Sequence, residues 1–101
     1  FFDGKATLVV GTHTHIPTND ARILNSGTGY QTDAGMCGDY DSVIGMNKEN
    51  SLNRFLKKNS TKQFPAIGDA TLCGVMVECD LVTGLANNIQ SYINGNFLKN
   101  K

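Results

Sequence analysis

The sequence predicts an α/β fold, mainly β-strands with one clear helix, and three patterns predict it. The apolar run Ala6-Thr7-Leu8-Val9-Val10 reads as a buried strand. Residues 70–80 alternate, with Thr71, Cys73, Val75, Val77 and Cys79 on one side and Leu72, Met76 and Glu78 on the other. Leu52, Phe55 and Leu56 recur at helical spacing behind Asn47, which can cap a helix.

Each element follows from local chemistry. Asp3-Gly4 is a tight-turn signal that feeds the first strand. That strand ends at Gly11, and its near-continuous apolar character suggests a central position covered on both faces. Ile16 to Asp20 is loop chemistry. Ala21 to Leu24 and Tyr30 to Thr32 are short extended segments about a turn at Asn25 to Gly29, so residues 21–33 form an expected hairpin. Asp33 to Gly45 is glycine-rich and aperiodic, yet carries enough apolar side chains to be ordered. The helix should run about three turns and bury its apolar stripe. Lys57-Lys58 lies in its last turn, Asn59 closes it, and the polar Ser60-Thr61 follows. Asp80 to Gly84 is a turn, and a second strand returns from Leu85. Ile89, Tyr92, Ile93, Phe97 and Leu98 anchor an asparagine-rich tail that should fray.

With 101 residues there is room for one domain and a modest core. Nine Lys+Arg balance nine Asp+Glu, and no basic stripe appears, which argues against a binder of phosphate backbones. No stretch has the length of a membrane span, no leader is read at the start, and the expected compartment is the cytoplasm. Cys37, Cys73 and Cys79 include no Cys-x-x-Cys pair, so a disulfide scaffold or zinc ribbon is not indicated. Cys73 and Cys79 read as small buried hydrophobes, and Cys37, among glycines, as more exposed. The chain opens on Phe1 and runs almost at once into a strand, which we expect of a piece of something larger.

The chemistry concentrates in Gly11-Thr12-His13-Thr14-His15, which holds both histidines. On an extended backbone, positions i and i+2 face one way, so both imidazoles could serve one metal site. A pair of surface histidines in a loop is the alternative. Partners could come from Asp3, Asp20, Asp33, Asp39, Asp41, Asp69 and Asp80, with Asp20 and Asp33 expected nearest the strand end. A two-metal hydrolase needs about six or seven ligands, and two imidazoles supply only a part. Neither a Ser–His–Asp order, a nucleophilic-cysteine motif nor a phosphate-binding glycine loop is present.

Asp3-Gly4-Lys5, then Val9-Val10-Gly11-Thr12-His13-Thr14-His15, resembles the C-terminal part of the YmdB-like bacterial metallophosphoesterases of the calcineurin-like superfamily. The match runs through Pro17-Thr18, Asp20, Arg22-Ile23-Leu24, Gly27-Thr28 and Thr32-Asp33. It is strongest over Gly35-Met36, Gly38 and Tyr40-Asp41-Ser42-Val43-Ile44-Gly45, and extends to Arg54-Phe55-Leu56, Gly74-Val75, Thr83-Gly84 and Ala86. The resemblance implies the C-terminal portion of an αββα sandwich, with residues 1–101 part of a single metallophosphoesterase domain whose N-terminal half is absent. It implies hydrolysis of phosphodiesters such as 2′,3′-cyclic nucleotides by a two-metal mechanism. His13 and His15 match the family's last two ligands, one on each of two divalent ions (Fe, Mn or Zn). The other ligands and the imidazole proposed as general acid lie upstream in the family, so this chain by itself is expected to be inactive. Asp39 stands where a proline is common.

Three readings follow. The chain is part of a metal-dependent phosphodiesterase, an inactive fragment or remnant of one, or a small mononuclear metal-binding module. The expected partners are a phosphodiester or cyclic-nucleotide substrate and a missing N-terminal half or partner chain. No membrane is expected, and bare apolar surface would favour a homo-oligomer.

Overall fold

The computed structural model describes residues 1–59 and 62–98; the Ser60-Thr61 step and the last three residues of the tail lie outside these. Seven elements follow in order: β1 (Leu8–Val10), β2 (Arg22–Ile23), β3 (Gly29–Gln31), β4 (Gly38–Asp39), α1 (Lys48–Phe55), β5 (Ala70–Cys79) and β6 (Ala86–Asn94). They form two three-stranded sheets, ordered β1-β3-β2 and β4-β5-β6, so the described chain is mostly strands with one helix, as its patterns predicted. Two compact units can be separated, Phe1–Met36 with Cys73–Tyr92 and Cys37–Leu72 with Ile93–Lys101.

In the first unit the expected hairpin forms. β2 pairs antiparallel with β3, Arg22 opposite Tyr30 and Ile23 opposite Gly29, while β1 pairs parallel with β3, Val10 opposite Gln31. The turn at Asp3-Gly4 is present, and the Asp3 carboxylate accepts from the amides of Ser26 and Thr28. β1 is shorter than its apolar run and has β3 as its neighbour in the sheet, at the sheet's edge rather than its centre. Val10 is exposed accordingly. An apolar run reports the wish to be covered, and cannot say whether the covering strands lie within the same stretch of chain.

The most buried side chains are polar: Gln31, Thr28, Thr71 and Asp33. Burial of such groups is tolerable only with hydrogen bonds. Thr28 shows how: its hydroxyl donates to Ala6 O at 2.6 Å and accepts from Gly4 N–H at 2.9 Å. Among the described residues the buried apolar ones are Cys73 and Ala86, a thin core. Along β5 the alternation holds for Thr71 and Cys73, with Val75 and Val77 half-buried. Cys79, expected inside, is exposed, as is Cys37.

The second unit carries the helix. Asn47 caps it, its side chain accepting from Asn50 N–H at 2.9 Å. Its end differs from expectation. Lys57, with φ +57°, closes it in place of Asn59; Lys57 N–H bonds Arg54 O and Lys58 N–H bonds Asn53 O, the Schellman pattern. The helix is eight residues, about two turns. Its stripe is not buried: Leu52, Phe55 and Leu56 are exposed, Phe55 at 82%, and the buried helical residues are Asn50 and Ser51. Helical spacing locates an apolar face but not the surface that covers it.

The loop before the helix is ordered by its own hydrogen bonds. Asp39 accepts from Asp41 N–H at 2.9 Å and Gly68 N–H at 3.0 Å. Val43 and Met46 exchange both backbone bonds around Ile44 and Gly45, each with positive φ, as in a type I′ turn. A β-branched residue at φ +48° is strained, by about 1–2 kcal/mol. No helix among the described residues is long and apolar enough to cross a membrane.

Candidate functional site

Parallel pairing makes the site. β1 and β3 run the same way, so the segments that follow them leave from one edge of the sheet. Gly11 N–H bonds Gln31 O and Ala34 N–H bonds Gly11 O, which carries the ladder past both strand ends and sets Thr12–His15 beside Thr32–Gly35. Gly11 is required for that approach, because a Cβ there would stand 2.5 Å from Thr32 O.

His13 and His15 then line one open cavity of about 390 Å³ with Thr12, Asp33, Gly35 and Met36. They reach it by a route other than the expected one. The strand has ended at Val10, residues 14–16 form a bend, and His15 adopts φ +66°. A non-glycine residue held in the left-handed region costs on the order of 1–3 kcal/mol and persists only where its surroundings over-determine it. The residues just before His15 are held by the carboxylate of Asp33. It accepts from His13 N–H and Thr14 N–H, both at 2.6 Å, from the Thr14 hydroxyl at 2.9 Å, and from Gly35 N–H at 2.9 Å. The Thr14 amide, then that of Gly35, holds the Asp33 carboxyl down at about 2.

Asp20, the other carboxylate expected near the histidines, is also committed. It accepts from the hydroxyls of Thr18 and Thr32 and from Thr32 N–H at 3.1 Å, and the Thr18 hydroxyl leads in lowering it to about 2. The remaining candidates are engaged elsewhere. Asp3, Asp39 and Asp80 accept backbone amides, Asp41 pairs with Lys48 at 2.8 Å, and Asp69 accepts from Asn96. Among the described residues no group of three or more His, Cys, Asp or Glu side chains is placed to hold a metal ion. Two imidazoles facing one cavity are a donor set that fits part of a metal centre and not a whole one. A mononuclear site completed by Asp20 or Asp33 would have to use an oxygen that already accepts a hydroxyl or amide donor.

Sequence reasoning named Asp33 only as a possible ligand. Its anchoring role had a signal: an aspartate two residues before a glycine is the pattern of an Asx turn, and Gly35 N–H does return to Asp33. Thr14 and Met36 carried no comparable local signal.

The depressed carboxylates have a consequence in acid. A folded-state pKa near 2 against about 3.9 unfolded contributes stability that is complete above pH 4 and lost as pH falls towards 2. Asp20→Asn should therefore flatten the fall in melting temperature between pH 4 and 2 and leave the slope between pH 6 and 8 unchanged. An undiminished acid slope would count against this assignment.

The arrangement has known counterparts. A family model described as YmdB-like protein matches residues 1–92. The chain is 44% identical over 90 residues to the 2′,3′-cyclic-nucleotide 2′-phosphodiesterase of Bacillus subtilis, covering 89% of this chain and 34% of that protein. A crystal structure of a hypothetical protein from Thermus thermophilus superposes with a TM-score of 0.82 at 40% identity, over 93% of this chain and 36% of that one. A crystal structure of a novel phosphatase from Mycoplasma pneumoniae gives 0.83 at 38%, over 93% and 34%. The chain thus spans about a third of the length of the relatives it matches, corresponding to their C-terminal part.

Proposed function

The chain belongs to the YmdB-like protein family, and we propose that it forms the C-terminal, ligand-bearing part of a metal-dependent phosphodiesterase. The substrates are phosphodiesters such as 2′,3′-cyclic nucleotides, after the activity in the name of the Bacillus subtilis relative. The observation that carries this reading is the pair His13 and His15 on one cavity at the carboxyl end of a parallel strand pair.

Within the proposed centre His13 and His15 each offer a neutral imidazole to one of two divalent ions (Fe, Mn or Zn). Such ions, when bound, supply Lewis acidity to the phosphoryl oxygens. The chain's own contribution is placement. Gly11 lets the loop lie against Thr32, the bend at Thr14 turns the two rings to one side, and Thr12 and Met36 wall the cavity. The remaining ligands come, in this reading, from the part of the family's length that this chain does not span. The same part covers the helix stripe of Leu52, Phe55 and Leu56, which would otherwise favour self-association.

The test is to graft residues 1–101 in place of the matching third of the Bacillus subtilis enzyme. Metal content and 2′,3′-cyclic-nucleotide hydrolysis are then measured for graft and chain separately. The graft should bind metal and turn over, and the chain alone should not. A folded graft without metal or activity would remove the reading.

A further inference from the structure

Asp33 lines the cavity beside both histidines, and the obvious role for a carboxylate there is as a third ligand. Its hydrogen bonds say otherwise. One oxygen receives three donors, the amides of His13 and Thr14 and the Thr14 hydroxyl, and the other receives Gly35 N–H. The three donors saturate the first oxygen, and each of these bonds is charge-assisted, so that oxygen is committed to the loop. The residue is itself held from below. Its amide donates to the Thr18 hydroxyl at 2.9 Å, and its carbonyl accepts from Gln31 Nε2 at 2.8 Å and Thr18 N–H at 3.1 Å. Gln31 is fully buried, so the grip has a fixed base.

We infer that Asp33 is the positioning residue of the histidine pair: by gripping the amides of His13 and Thr14 it fixes the bend that directs both imidazoles into one cavity, and it does not itself coordinate metal. The inference rests on the histidines being metal ligands. Its physical content is the strain at His15. A φ of +66° is uphill for a histidine, and relaxation would swing the ring out of register with His13. Two adjacent amides bonded to a single oxygen fix the backbone that leads into the bend, because moving it leaves both without their acceptor. Asparagine at this position would turn its NH2 either on Gly35 N–H or on the His13 and Thr14 donors, so at least one donor faces another donor.

The test uses the graft of residues 1–101 into the Bacillus subtilis enzyme, with Zn2+ as probe, by calorimetric titration, and amide hydrogen exchange without metal. Asp33→Asn should weaken Zn2+ binding about 10- to 100-fold, the range for partners that orient ligands. It should also speed exchange at His13 and Thr14 while leaving the β1–β3 amides protected. Thr14→Val, at an exposed position, removes one of the four donors and should weaken Zn2+ binding several-fold, and Thr14→Ser should restore it. This pair keeps the test decisive if Asp33→Asn does not fold. Weaker Zn2+ binding with His13 and Thr14 amides as protected as before would make Asp33 a ligand and overturn the proposal. Loosened amides with unchanged affinity would overturn it as well, since the bend would then not matter to the metal. Zn2+ affinity unaffected by His13→Ala and His15→Ala is a different failure: it removes the ligand reading itself, and the proposal with it.

Discussion

Replacing either His13 or His15 by alanine in the grafted enzyme should lower turnover of a 2′,3′-cyclic nucleotide by about a hundredfold or more and leave the fold in place. A metal ion acting on a phosphoryl oxygen supplies several kcal/mol of transition-state stabilisation, and each 1.36 kcal/mol is tenfold in rate. Losing one ligand forfeits part of that through lost occupancy and lost positioning of the ion. Stability should barely change, because both histidines are exposed. Metal stoichiometry, turnover and a thermal melt on the same preparations decide it. Near-normal activity in either variant would return that histidine to the status of a loop residue. A large drop in melting temperature would show it to be part of the packing instead.

Gly35→Ala should cost about 2–5 kcal/mol of stability. Gly35 has φ +96°, so any side chain there carries about 1–2 kcal/mol of backbone strain. The added Cβ would also stand 2.8 Å from Cys73 Cβ and 3.0 Å from Pro17 N and Cδ, and overpacking of this kind costs about 1–3 kcal/mol. None of these atoms is the end of a flexible side chain that could swing away. The displaced backbone would also loosen the Gly35 N–H bond to Asp33. Gly74→Ala is the control: its Cβ would meet nothing within 4 Å, so the same chemical change should be neutral or slightly stabilising. Denaturant midpoints for the two variants give the answer, and equal values would show that the steric argument fails.

Where hydrogen bonds are local, the residues announced their structure. Asn47 at the helix start, the Asp3-Gly4 and Asp80 to Gly84 turns and the antiparallel pairing within residues 21–33 each depend on groups a few positions apart. The alternation along β5 was legible for the same reason, since period two is a property of the extended chain itself. The blocks around Gly11 to His15 and Tyr40 to Gly45 carried the family, and with it the expected role of the two histidines.

Coverage was the property that local pattern could not supply. The apolar run at Val9-Val10 and the stripe at Leu52, Phe55 and Leu56 were read as buried. The structure leaves Val10 and the whole stripe exposed. Periodicity records that a surface is apolar, whereas burial depends on what is brought against it. The sequence by itself determined the strand-and-helix composition, the caps and turns, and which residues stand as candidate ligands. Only the tertiary structure decided that His13 and His15 share a cavity through a left-handed bend, and that Asp33 and Asp20 are spent on backbone and hydroxyl donors. The reason is the parallel pairing of β1 with β3. It joins the loop after Val10 to the loop after Gln31 across some twenty intervening residues, and no pattern along the chain records which donors those carboxylates will meet.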